Sequence, residues 1–108
     1  MNSSHQATVS TLHRIGRLWV KPPGLDATPE SGKIMLEIDA GGAFGDGAHP
    51  TTQLCLAALA RHIRPGALID LGTGTGILAI AAAKLGAAPV LAVEIAAAAV
   101  QIARANVA

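Results

Sequence analysis

Glycine occupies positions 72, 74 and 76, between a short apolar run and an alanine-rich stretch. Glycine reaches positive φ angles at little cost and lets a ligand approach the backbone, because it has no Cβ. The apolar run at residues 67–71 predicts a strand, and residues 77–85 predict a helix that ends at Gly86. This order predicts an α/β fold with a ligand at the carboxyl end of the strand.

Strands and helices are predicted to alternate on both sides of this turn. The predicted strands lie at residues 15–20, 34–38, 67–71 and 89–93. The first predicted helix begins near residue 51 and ends before Pro65, and the other two lie at residues 77–85 and 96–107. The first helix follows Pro50, with Thr51 or Thr52 near its cap. Charged side chains are rare after Asp70, which is typical of elements packed between layers. We therefore expect a parallel sheet with helical crossovers, a Rossmann-like arrangement.

The glycine spacing distinguishes between nucleotide cofactors. Asp70, Gly72, Gly74 and Gly76 form a D-x-G-x-G-x-G pattern, whereas the dinucleotide fingerprint is G-x-G-x-x-G. The observed spacing favours a nucleoside with a charged amino-acid arm, and no Gly-Lys-Ser/Thr follows to form a P-loop. Glu94 ends the next predicted strand, where an acid accepts hydrogen bonds from ribose hydroxyls. Asp70 either contributes to this site or only stabilises the turn.

The first predicted helix has an apolar side. Its expected members are Leu54, Leu56, Ala57, Leu59 and Ile63. The single cysteine, Cys55, is expected to be a small buried hydrophobe. One cysteine allows no internal disulfide, which fits a reducing compartment.

Composition argues against several classes of protein. The net charge is +1 and the basic residues form no stripe, so nucleic-acid binding is not expected. The histidines lack metal-ligand spacing, so no metal site is expected. No signal peptide is visible and no apolar run approaches the ~20 residues of a membrane span. The expected location is the cytoplasm, with no membrane association.

Two segments resemble one enzyme family. Residues 42–52 read GAFGDGAHPTT and are followed by an L-C-L triplet. Both are similar to motifs of the ribosomal-protein methyltransferases that modify large-subunit protein eleven, whose pattern is A-F-G-T-G-x-H-P-T-T. Residues 69–88 resemble the cofactor loop and helix of that family, and residues 15–20 resemble the strand before its catalytic domain. The resemblance covers roughly residues 14–108.

The resemblance implies a class I methyltransferase that uses S-adenosyl-L-methionine. It implies that Thr52 contacts this cofactor, that Gly72 is the first glycine of the cofactor loop, and that Glu94 binds the ribose. The predicted cofactor-binding residues are Thr52, Asp70, Gly72, Gly74, Gly76 and Glu94, together with Phe44, Gly45 and Asp46 near the methionine arm. Asp46 departs from the family pattern, which usually has threonine there.

The resemblance also implies a division of the chain. We expect a flexible leader at residues 1–13, strands and a glycine-rich loop at 14–50, and the N-terminal half of the methyltransferase domain at 51–108. Family members continue with further strands and an Asn-containing active-site motif. The expected fold is therefore partial, and its strand at residues 67–71 has an open apolar edge. Such edges pair with other chains, which predicts self-association.

The functional hypothesis is methyl transfer from S-adenosylmethionine to a protein amine, by resemblance on a ribosomal protein. Three alternatives stay open: an inactive cofactor-binding fragment, a methyltransferase of the same fold with a small-molecule or other protein-lysine substrate, and a nicotinamide-binding domain. His49 is either a general base or a residue that orders the turn at Pro50. The catalytic residues are left unassigned.

Overall fold

The computed structural model describes residues 12–41 and 48–107, which contain five strands and three helices. In chain order they are β1 (His13–Ile15), β2 (Leu18–Lys21), β3 (Ile34–Glu37), α1 (Pro50–His62), β4 (Gly66–Leu71), α2 (Ile77–Lys84), β5 (Ala87–Val93) and α3 (Ala97–Val107). The predicted alternation of strands and helices is confirmed. None of the described helices has the length and hydropathy needed to cross a membrane.

The single strand predicted at residues 15–20 is wrong, because the chain forms a hairpin there. β1 and β2 are antiparallel, with Ile15 opposite Leu18. Gly16 has a φ of +58° and, with Arg17, makes the two-residue turn. β3 then adds to β2 in parallel. Gly16 and Arg17 interrupt the apolar residues, but residues on both sides of the turn face the same core, so the segment resembles a single strand.

β4 and β5 form the predicted parallel pair. Leu71 lies opposite Val93, and α2 provides the crossover between the strands. This pairing brings the carboxyl end of β4 beside that of β5. The glycine-rich loop and Glu94 consequently lie at the same edge of the sheet, as the fold class requires.

The hydrophobic core lies between the first sheet and the helices α1 and α2. Its fully buried members include Leu18, Leu36, Leu56, Ile77 and Ala81. Leu18 and Leu36 project from neighbouring strands of the first sheet, and Leu56 projects from α1. The core therefore packs α1 and α2 against the first sheet and against each other.

The expectation that β4 and β5 are packed between layers is not met. Ile69, Leu71, Leu91 and Val93 are all exposed, Leu71 to 78%. α2 packs against both strands, whereas α1 and α3 make little contact with either of them. Among the described residues, both outer edges of this two-stranded sheet are open.

The apolar side predicted for α1 is partly wrong. Leu56 is fully buried and Leu59 packs against the core, whereas Leu54 is 70% exposed and Cys55 is also exposed. Thr52, four residues before Leu56, is the other buried residue of this helix. At 100° per residue, Leu54 lies about 200° from Leu56, so the two leucines face opposite directions. Cys55 is similarly rotated away from the core.

Candidate functional site

The glycine-rich loop is held at its base by the neighbouring strand. The backbone N–H groups of Gly72 and Thr73 both donate to the carbonyl oxygen of Val93, at 2.8 and 3.0 Å. The Thr73 hydroxyl donates to the Asp70 carboxylate at 2.8 Å. Gly72 has a φ of +72° and Gly76 a φ of +88°, conformations that favour glycine. These bonds fix the loop immediately after β4.

The Glu94 carboxylate closes the open side of the same loop. Its Oε1 accepts from the backbone N–H of Gly74 at 2.8 Å, and its Oε2 accepts from those of Ile95 and Ala96 at 3.1 and 3.2 Å. The bond from Gly74, followed by those from Ala96 and Ile95, lowers the pKa of Glu94 and outweighs the opposing effect of desolvation. Glu94 is therefore a half-buried, ionised acceptor at the end of β5.

The start of α1 forms the opposite wall. His49, not Thr51 or Thr52, is the N-cap: its Nδ1 accepts from the backbone N–H of Thr51 at 3.2 Å and lies 2.7 Å from the Thr51 hydroxyl oxygen. Pro50 is at the helix entrance, as predicted. The imidazole fits the role of ordering the turn, since a ring nitrogen can accept where a Ser or Asp cap normally would. With His49 as cap, both threonines belong to the first turn of the helix.

These three elements surround a cavity of about 290 Å³. Its lining residues come from the first turns of α1, the glycine-rich loop, the start of α2 and the end of β5. They are Thr51, Thr52, Cys55, Gly72, Thr73, Gly74, Ile77, Leu78 and Glu94. The cavity thus combines hydroxyl groups, glycine backbone, two aliphatic side chains, one thiol and one carboxylate.

Four of the predicted site residues meet in this cavity: Thr52, Gly72, Gly74 and Glu94. They come from segments up to 42 positions apart (residues 52 and 94), so the fold brings them together. Their roles toward a cofactor stay predictions. Phe44, Gly45 and Asp46 lie outside the described residues.

Asp70 and Gly76 are absent from the cavity lining and support the loop instead. Asp70 accepts from Thr73, which is the turn-stabilising alternative. A Cβ added to Gly76 would lie 3.5 Å from the Cβ of Ala103, so this glycine packs against α3. Both residues therefore support the shape of the loop.

Sequence reasoning missed several residues around the site. Thr51 was considered only as a cap, and Cys55 was expected in the core, yet both line the cavity. Asn106 was not singled out, although its amide bonds to the backbone of Thr75 in the glycine-rich loop and of Asp39 after β3. Helical periodicity could have placed Cys55 off the core side, whereas no local pattern links Asn106 to a loop 31 residues earlier.

Within residues 12–41 and 48–107, no three metal-ligating side chains lie close enough together to hold a metal ion. The polar groups around the cavity are hydroxyls, backbone amides, the Cys55 thiol and a single carboxylate. Such a set suits an organic ligand with hydroxyl groups.

Comparison with known proteins places the chain in a family. A family model described as ribosomal protein L11 methyltransferase (PrmA) matches residues 10–108. The chain belongs to this family. The identification agrees with the resemblance in residues 42–52 and 69–88.

Relatives support the assignment. The ribosomal protein L11 methyltransferase of Desulforamulus reducens is 53% identical over 92 residues, which are 84% of this chain and 30% of that protein. The corresponding protein of Geobacter metallireducens is 51% identical over 94 residues, 86% of this chain and 31% of that protein. This chain thus spans about a third of the length of these curated relatives.

A solved structure shares the fold. The ribosomal protein L11 methylase of Lactobacillus delbrueckii subsp. bulgaricus superposes with a TM-score of 0.78 and 38% sequence identity. The match covers 88% of this chain and 50% of that one. The expected class I methyltransferase fold, represented here in part, is therefore confirmed.

Proposed function

We propose that the cavity between α1, the glycine-rich loop and Glu94 binds S-adenosylmethionine. The observation that carries the proposal is the convergence of Gly72, Gly74 and Glu94 on one cavity with the threonines of α1. Glycine backbone allows close approach of a ligand. The hydroxyls and the carboxylate supply polar contacts for a nucleoside.

Glu94 has the capacity to bind a ribose as well as the loop. A carboxylate offers about four lone-pair sites, and three backbone N–H groups use three of them. The bonds to Gly74, Ile95 and Ala96 keep the side chain ionised and fixed in orientation. We infer that Glu94 accepts a hydrogen bond from a ribose hydroxyl while it keeps its three bonds to the backbone. It would then bind the ligand and maintain the loop at the same time.

The proposed activity is methyl transfer to an amine of ribosomal protein L11, the substrate that the names of the relatives state. S-adenosylmethionine, when bound, supplies the methyl group on a sulfonium, so most of the chemistry belongs to the cofactor. The residues of this chain would hold and orient it. We also propose a cytoplasmic location, because ribosomal protein L11 is the proposed substrate.

The test is calorimetric titration of the chain with S-adenosylhomocysteine and with NADH, together with a methylation assay on ribosomal protein L11. We expect S-adenosylhomocysteine to bind to the wild type. Its affinity for Glu94→Gln should be lower by about 10-fold or more, because an ionised hydrogen-bond acceptor is lost. Glu37→Gln is the matched control, since Glu37 pairs with Lys21 on the first sheet, outside the cavity.

Each alternative has its own outcome. Binding of NADH but not of S-adenosylhomocysteine would refute the cofactor assignment. Binding without methylation would favour the inactive fragment, and methylation of other substrates but not of L11 would favour another methyltransferase of this fold. Equal affinities of Glu94→Gln and the wild type would remove the ribose role from Glu94.

Self-association through the open edges of β4 and β5 is part of the same proposal. The exposed leucine, isoleucine and valine side chains on these strands support it, because exposed apolar strands tend to pair with other chains. Sedimentation velocity over a range of protein concentrations would test it. A monomer at every concentration would contradict it.

A further inference from the structure

Asn106, near the end of α3, bonds to two separate loops. Its Nδ2 donates to the carbonyl oxygens of Thr75 at 2.8 Å and Asp39 at 3.0 Å, and its Oδ1 accepts from the backbone N–H of Asp39 at 2.9 Å. The two loops lie 31 and 67 positions away along the chain. The side-chain amide therefore connects two segments that are distant from each other in the sequence.

Two packing contacts of α3 involve the same two segments that Asn106 connects. A Cβ on Gly76 would lie 3.5 Å from the Cβ of Ala103, and a Cβ on Gly41 would lie 3.2 Å from Ile102. α3 thus contacts the glycine-rich loop with Ala103 and the segment after β3 with Ile102. Asn106 joins these two contacts with hydrogen bonds.

One of the bridged segments forms part of the cavity wall, and the other precedes α1 in the chain. Thr75 belongs to the loop whose Gly72 and Gly74 line it. Residues 39–41 lead, through residues 42–47, to the start of α1 and its threonines. The Asp39 carboxylate also accepts from the Gly41 N–H at 3.1 Å, which makes this segment a defined turn. Asn106 therefore ties the glycine-rich loop, which is one wall of the cavity, to the turn at residues 39–41.

We propose that Asn106 is a positioning residue for the cofactor site. It sets the distance between the glycine-rich loop and the segment that leads to α1, and it does so without lining the cavity. A short side chain whose amide hydrogens and oxygen are all bonded has one preferred geometry. Holding the glycine-rich loop in place before binding reduces the ordering cost that the ligand would otherwise meet. The inference rests on the proposed cofactor binding and assigns a role in it to a residue outside the cavity.

Asn106→Asp is the sharpest perturbation, because it preserves size and the acceptor for the Asp39 N–H. It removes both donors and places a negative charge against the carbonyl oxygens of Thr75 and Asp39. Asn106→Gln keeps the amide but displaces it by one methylene. Gln101→Ala is the matched control, since Gln101 is an exposed amide side chain on the same helix.

The experiment measures thermal unfolding, hydrogen exchange of the amides at residues 39–41 and 72–76, and S-adenosylhomocysteine affinity below the unfolding temperature of every variant. We expect faster exchange in both segments of Asn106→Asp and an affinity loss of about 10-fold or more, with a smaller loss in Asn106→Gln. Gln101→Ala should stay within about twofold of the wild type.

A purely structural role would lower the unfolding temperature and leave the affinity of the folded protein unchanged. That result in either Asn106 variant overturns the inference while the proposed function stands. Should Asn106→Asp fail to fold, Asn106→Gln decides the question by the same criterion. Failure of the wild-type chain to bind S-adenosylhomocysteine overturns the proposed function and this inference together.

Discussion

Replacing Gly72 by alanine separates two reasons for a glycine at the start of the loop. Gly72 has a φ of +72°, and a Cβ built there meets no atom within 4 Å. The substitution therefore causes backbone strain without a clash inside the protein. Because Gly72 also lines the candidate cavity, the added methyl group reduces the space available to a ligand that approaches the backbone.

A matched substitution isolates the strain. Gly32 has a φ of +83° and equally open surroundings, and it lies in a turn where the Lys33 N–H donates to the Glu30 carbonyl oxygen at 3.0 Å, outside the cavity. A left-handed conformation costs a non-glycine residue about 1–2 kcal/mol. We expect both alanine variants to lose about this much free energy of unfolding, with a Tm decrease of about 4–8 °C per kcal/mol for a domain of this size.

Only Gly72→Ala should also lose affinity. We expect S-adenosylhomocysteine to bind about 10-fold more weakly to Gly72→Ala than to the wild type, equivalent to about 1.4 kcal/mol of binding free energy. Its affinity for Gly32→Ala should equal that for the wild type. Urea unfolding followed by circular dichroism gives the stability, and calorimetric titration gives the affinity. Wild-type affinity in Gly72→Ala would mean that this glycine serves backbone conformation alone. An unchanged stability would refute the strain argument.

The ionisation of Glu94 and the orientation of α1 give two further expectations. The pKa of Glu94 is lowered in the folded protein, chiefly by the Gly74 N–H, so the unfolded chain takes up the proton first as the pH falls. The stabilisation is present above the ordinary value of 4.5 and is lost as the pH falls through the folded pKa. The difference in urea midpoint between the wild type and Glu94→Gln should therefore shrink below pH 4.5, and a constant difference down to pH 3 would contradict this assignment. On α1, Leu56→Ala should cost about 2–5 kcal/mol because Leu56 is fully buried, whereas Leu54→Ala should change the free energy of unfolding by about 0.5 kcal/mol or less. Similar losses in urea unfolding would show that the two leucines do not face opposite sides.

Much of the fold was predictable because its signals are local. Helix α2 begins after Gly76 and ends before Gly86, whose φ is +110°, since glycine is the residue that suits both conformations. Pro50 likewise predicted where α1 begins, because proline suits the first position of a helix. Parallel pairing of β4 and β5 followed from the helix between them, and this pairing places Glu94 beside the glycine-rich loop.

Other features depend on partners that are distant in the chain. Leu54 and Leu56 are equally hydrophobic, and only the position of the first sheet determines which one is buried. The β1–β2 hairpin was missed although Gly16 and Arg17 interrupt the apolar residues of this segment, because its register depends on packing of both strands against the same core.

The glycine-rich loop shows both kinds of information. Its glycines, their spacing and the acid after the next strand could be identified from the sequence. Each depends on backbone geometry within a few residues or within one strand–helix–strand unit. The tertiary structure alone determined that Gly76 packs against α3 and that Asn106 joins the loop to the segment after β3. These roles require side chains to meet across the fold, and a hydrogen bond between residues 31 positions apart leaves no periodic signal in the sequence.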